Sequence, residues 1–141
     1  MNAGVGGMEA GSMSIRVLVV DDEEDFLKSI VMRIELRGFK VHGVTGGAEA
    51  VGFLEANPGG IDVVLLDIKM PGMDGIETLR QIRNCCPEVQ VIVVTGHASQ
   101  EFSRLGRELG VFDYLIKPIR LEVVLERIEA AFNKHRDQGA N

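Results

Sequence analysis

Ile61-Asp62-Val63-Val64-Leu65-Leu66-Asp67 is the stretch that decides the fold. Its apolar residues run together instead of alternating with polar ones. This is the pattern of a strand covered on both faces, as at the centre of a parallel sheet. The run ends in a carboxylate, and open α/β sheets carry their sites at the carboxyl ends of their strands. Three other runs share this form. Ile15-Arg16-Val17-Leu18-Val19-Val20 ends in Asp21-Asp22, Val89-Gln90-Val91-Ile92-Val93-Val94 ends in Thr95, and Tyr114-Leu115-Ile116 ends in Lys117-Pro118. Separate strand ends thus supply an acid pair, a hydroxyl and an ammonium to surround one central carboxylate.

Between these runs the apolar spacing changes from strand-like to helical. Strands are predicted over 15–20, 40–44, 61–67, 89–95 and 113–117, and helices over 23–37, 47–56, 75–85, 99–109 and 120–134. The inner faces are expected to carry Phe26, Leu27, Ile30, Val31 and Ile34 on the first helix, and Ile76, Leu79 and Ile82 on the third. Leu121, Val124, Leu125, Ile128 and Phe132 do the same on the fifth. Gly38 suits a left-handed stop after the first helix. Asn57-Pro58-Gly59-Gly60 breaks the second, Gly106 weakens the fourth, and Asp74 with Glu77 reads as a capping box for the third. Five βα units of this length make a doubly wound parallel sheet with helices on both faces. Strand order 2-1-3-4-5 brings the first and third strands together, so the acid pair faces Asp67 across the switch point. Residues 1–13 (Gly, Ala and Met in the main) read as a mobile tail and 135–141 as a polar tail, around one domain at 14–134.

Composition narrows the function classes. The 141 residues suit one domain with a real core. No apolar stretch approaches the roughly 18 residues of a membrane span, and no signal-peptide core opens the chain, so a cytoplasmic location is expected. Net charge is −6, with no run of Lys and Arg interleaved with aromatics, which argues against nucleic-acid binding by this chain. Cys85 and Cys86 are adjacent and are the only cysteines. A disulfide between neighbours is strained, two thiols are too few for a zinc cage, and reduced thiols are expected.

Carboxylates held close together do not all ionise cheaply unless a cation offsets their repulsion. Mg²⁺, or Mn²⁺ in its place, suits a few carboxylates, water and phosphoryl oxygens. Asp67 then reads as a nucleophile that forms an acyl phosphate. Phosphoryl transfer mainly requires positioning and charge on three equatorial oxygens, which the cation, Lys117 and the Thr95 hydroxyl can share. Taken singly, Asp21-Asp22-Glu23-Glu24-Asp25 would only complement the positive end of the first helix, Thr95 would be an ordinary strand-end hydroxyl, and Lys117 a salt-bridge partner of Asp67. The coincidence at matching strand ends favours the chemical reading.

Val19-Val20-Asp21-Asp22-Glu23, Leu66-Asp67-Ile68-Lys69-Met70-Pro71-Gly72-Met73-Asp74-Gly75, Thr95-Gly96-His97 and Tyr114-Leu115-Ile116-Lys117-Pro118 together resemble a bacterial response-regulator receiver domain, over about 14–134. The resemblance implies a flavodoxin-like (βα)5 fold with Asp67 as phosphoacceptor. It also implies a metal site formed by Asp22, Asp67 and the Lys69 backbone carbonyl, with Asp21 acting through water. Thr95 and Lys117 would bind the phosphoryl group, the Lys117-Pro118 bond would be cis, and Tyr114 would turn inward as Thr95 moves. The surface of the fourth helix, fifth strand and fifth helix would then change for a protein partner, with Val123, Glu126, Arg104 and Arg107 on the readout face. The phosphoryl donor would be a sensor histidine kinase or phosphotransfer protein. The chain would be no enzyme beyond its own phosphorylation and dephosphorylation, and a phosphorylation-dependent homodimer is compatible with such a switch. Lys69 and His97, reaching over the phosphoryl group, are expected to tune its lifetime, against the plain reading of two solvated loop side chains. No output segment is expected after the fifth helix, unless the chain is a fragment of a larger transcriptional regulator. A phosphatase of the haloacid-dehalogenase type would need an acid where Lys69 stands. A phosphate-independent binding module would be expected to lack Asp67 or Lys117.

Overall fold

Five parallel strands lie in the order β2-β1-β3-β4-β5: β1 (Arg16–Val20), β2 (Lys40–Val44), β3 (Val63–Leu66), β4 (Gln90–Thr95) and β5 (Asp113–Ile116). The helices are α1 (Glu24–Glu35), α2 (Gly47–Ala56), α3 (Gly75–Cys85), α4 (Gln100–Glu108) and α5 (Leu121–Ala140). The computed structural model describes residues 15–68, 75–96 and 100–140, without the side chains of Glu101, His135 and residues 137–140. The expectations for the tail at 1–13, Lys69, the Met70–Asp74 loop with its capping box, and His97 fall outside the described residues.

β1, β3 and β4 are rich in Val, Ile and Leu because both of their faces are covered. Alternate side chains enter opposite layers. Val17 and Val19 join Ile30, Ile34, Val124 and Ile128 under α1 and α5. Leu18 and Val20 join Leu54, Leu79 and Ile82 under α2 and α3. This is the doubly wound parallel sheet, in strand order 2-1-3-4-5, expected from the apolar runs.

The main chain bonds beyond the strand ends and so holds the polar residues that follow. The Asp21 N–H donates to the Val44 carbonyl at 3.1 Å, the Asp67 N–H to Val20 at 3.0 Å, and the Lys117 N–H to Thr95 at 2.8 Å. Register puts Val20 beside Leu66 and Leu66 beside Val93, so the first polar residues after β1 and β3 stand level.

Three local expectations need correction. α5 continues to Ala140 instead of stopping at 134; polarity at 135–141 does not end a helix, and the segment has no proline. In α3 the fully buried positions are Gly75, Thr78, Leu79 and Ile82, while Ile76 is only half-buried. α1 ends at Glu35, two residues before the predicted end, in turns that close on Gly38 at φ 96°.

Candidate functional site

The three aspartates converge at the carboxyl edge of β1 and β3. Asp21 and Asp67 are buried, at 1% and 6% exposure, and Asp22 is half-buried. One carboxylate oxygen from each lies within 4.8 Å of the others. A hard cation that takes a few carboxylates and keeps its waters fits such a donor set.

Lys117 enters from the end of β5. Its Nζ lies 2.7 Å from Asp21 Oδ2, 3.0 Å from Glu23 Oε1 and 3.5 Å from Asp67 Oδ2. It also sits 4.1 Å from the centre of the Phe26 ring, a cation–π contact. Burial pulls the ammonium pKa down, but the hydrogen bonds to Asp21 and Glu23 more than offset this and leave it above its ordinary value. The Asp21 pKa is raised as well, which for an acid disfavours the charged form. Burial raises its pKa more than its bonds from Lys117 and the Glu23 N–H lower it. In this state the ammonium is thus shared, and Asp21 holds it more closely than Asp67 does.

Thr95 ends β4 with no exposed surface. The Lys117-Pro118 peptide is cis. Tyr114 is half-buried against the core layer of α2 and α3, and its hydroxyl is buried without a well-formed hydrogen bond. Burial raises the phenol pKa, and the neighbouring Ser103 side chain opposes the rise. A cavity of about 260 Å³ opens beside it, lined by Ser103, Arg107, Val111, Phe112 and Asp113. Arg104, Arg107, Val123 and Glu126 are all exposed. The Arg127 guanidinium clamps Asp113 at 2.7 Å, tying α5 to β5.

Three residues that shape this site were expected elsewhere or nowhere in particular: Phe26 only on the inner face of the first helix, Glu23 only at its positive end, and Gly75 only within a motif. Glu23 and Phe26 hold Lys117 from a loop and a helix whose approach no spacing rule reveals. Gly75 packs directly on the residue after Asp67: a Cβ there would lie 2.0 Å from the Ile68 Cα, and the Gly75 N–H donates to the Ile68 carbonyl at 3.2 Å. Gly75 stood inside the family-like motif, but only as part of the pattern.

Residues 17–129 match the response regulator receiver domain family, and the chain belongs to it. It is a receiver domain of the two-component response-regulator class, a phosphorylation-based signalling module. The chain is 37% identical over 128 residues to the transcriptional regulatory protein PrrA of Mycobacterium leprae, covering 90% of this chain and 54% of that one. It therefore spans about half the length of this curated relative. A crystallised receiver domain protein from Clostridium thermocellum superimposes with a TM-score of 0.82 at 33% identity, over 86% of this chain and 97% of that one. The CheX-CheY-BeF3-Mg+2 complex from Borrelia burgdorferi contains a chain that matches with a TM-score of 0.78 at 29% identity, over 84% and 89%. No described helix is long and apolar enough to cross a membrane.

Proposed function

We propose that Asp67 accepts a phosphoryl group from the phosphohistidine of a sensor histidine kinase or phosphotransfer protein, in the cytoplasm, and that this switches a surface for a protein partner. The observation that carries the proposal is one ammonium shared among Asp21, Glu23 and Asp67 beside the three-aspartate cluster. An Asp67 carboxylate oxygen forms the new bond to phosphorus while the bond from phosphorus to the histidine nitrogen breaks. The transfer needs little from the protein except positioning and charge. Lys117 turns from Asp21 toward the arriving oxygens, and the Thr95 hydroxyl donates to another. Asp22, Asp67 and the Lys69 carbonyl, with Asp21 through water, would hold Mg²⁺ or Mn²⁺. When bound, that ion offsets the carboxylate repulsion and the charge on the phosphoryl oxygens. The magnesium and beryllofluoride in the similar Borrelia complex support this choice.

Movement of Thr95 would draw the Tyr114 ring further inward, reshaping the cavity bounded by α4 and β5 and the exposed face of Arg104, Arg107, Val123 and Glu126. Such a local charge event with a remote readout is a general form of switch. The same mechanism serves a receiver acting alone or one inside a longer transcriptional regulator, a reading that the length of the PrrA relative favours.

Intact mass after incubation with acetyl phosphate tests the proposal. The parent chain should gain one phosphoryl group that requires Mg²⁺, and Asp67→Asn should gain none. Absence of both an adduct and beryllofluoride binding would replace this reading with a phosphate-independent binding module. Lys69→Ala and His97→Ala should change the rate of phosphoryl loss; rates equal to the parent's would leave them as solvated loop side chains.

A further inference from the structure

The two thiols stand at the other end of the sheet from the aspartates. α3 ends at Cys85, and both cysteines precede β4 at the amino-terminal edge. Both are free and half-buried against the core layer of α2 and α3. Their sulfurs point the same way, 3.2 Å apart. The main chain around them is fixed: the Cys86 N–H donates to Ile82 at 2.8 Å, and the Val89 N–H donates to Cys86 at 3.2 Å. Arg83 adds a bond to the Val89 carbonyl.

Few bridging atoms suit this geometry. A direct disulfide does not, because neighbouring α-carbons across a trans peptide are about 3.8 Å apart, and a disulfide asks for about 4.4 Å or more. Zinc does not, because it needs four ligands; among the described residues no third His, Cys, Asp or Glu joins the pair, the one such group being Asp21, Asp22 and Asp67. A linear two-coordinate ion needs its sulfurs on opposite sides, not in contact. A trivalent arsenic centre is soft, pyramidal and bonded at angles near a right angle, so two sulfurs in contact fall where it needs them.

We propose that Cys85 and Cys86 form a bidentate site for a trivalent arsenical. With an arsenoxide, two sulfur–arsenic bonds form, the arsenic–oxygen bond breaks, and the two thiol protons leave with that oxygen as one water. Arsenic stays trivalent, and no oxidant or reductant takes part. Burial, with Cys85 alongside, pushes the Cys86 thiol up to about 12. Little Cys86 thiolate is then present for oxidants or alkylating agents, whereas the exchange supplies its own proton acceptor.

The test is intact mass of the reduced full chain after mixing with equimolar phenylarsine oxide. One adduct should form, survive a monothiol wash, and be removed by a dithiol such as ethanedithiol. Cys85→Ser and Cys86→Ser should each lose the wash-resistant adduct while keeping the parent's circular dichroism; if either serine protein is unfolded, the alanine versions are used. No adduct on the parent, or a wash-resistant adduct on either folded single variant, overturns the proposal. Because the site is remote from Asp67, its outcome is independent of phosphoryl uptake.

Discussion

The two edges of the sheet treat buried acid in opposite ways. At the amino-terminal edge Asp62 is 2% exposed. It accepts bonds from Arg16 Nη2 at 2.9 Å, Arg16 Nε at 3.1 Å and the Arg16 N–H at 2.9 Å. The guanidinium answers the carboxylate in its own bidentate geometry, and the Arg16 pKa rises through that hydrogen bond to Asp62. At the carboxyl edge Asp21, Glu23 and Asp67 share the ammonium of Lys117, and Asp22 stands beside them. One edge closes its charge balance; at the other, among the described residues, four carboxylates face one ammonium, a balance that a bound cation would offset. Burial of acid alone therefore does not mark a site; an acid cluster short of base does.

The sharpest way to break the contrast is at Gly75, which packs on the residue after Asp67. Gly75→Ala should overpack the site edge and cost about 3 kcal/mol or more, read by urea unfolding, with slower phosphoryl uptake in whatever remains folded. A cost under about 1 kcal/mol would show that the loop yields freely and that the contact does not position Asp67.

Arg16→Met tests the closed edge. It removes the guanidinium from the buried Asp62, which keeps the main-chain N–H of residue 16, and should cost about 2 kcal/mol, below the usual figure for breaking a buried pair because a hydrogen bond remains and Arg16 is partly exposed. Asp62→Asn should cost less, since the Arg16 side chain, 41% exposed, regains water. Equal costs in chemical denaturation would mean that the pair is not an asymmetric clamp.

The smallest effect is at Asp21, and pH reveals it. Its folded pKa lies above the ordinary 3.8 because burial disfavours the charged form. The folded state therefore holds that proton more tightly than the unfolded chain does. The stability this contributes is full below the ordinary value and is lost as pH rises through the raised one. In Mg²⁺-free buffer, Asp21→Asn should show a shallower fall in melting temperature across that window than the parent. An identical profile would place the surplus charge elsewhere.

Much of this was legible in residues alone. Uninterrupted apolar runs made β1, β3 and β4 recognisable, because strands buried on both faces cannot alternate. Asp21, Asp67, Thr95 and Lys117 stood out because each follows such a run directly. β5 was less plain: Ile116 is 47% exposed, so its apolar residues do not report burial on both faces. The end of α5 is not legible in the sequence, because polarity by itself is no stop signal for a helix. Glu23 and Phe26 escape the sequence because their partner Lys117 comes from a distant element, and Gly75 because periodicity carries no information about how closely a loop folds back on the strand end before it.

The sequence by itself determined the parallel sheet, the strand order and the edge at which the polar residues gather. Those follow from hydrophobic spacing, from handed crossovers and from the direction of the chain. Only the tertiary structure decided how one ammonium is divided among three acids, that Asp62 meets a guanidinium of its own while Asp67 shares Lys117, and that two neighbouring thiols face the same way. Those depend on distances of a few ångströms between residues far apart in the chain, or on the local turn that aims them, and charge interactions change steeply over such distances.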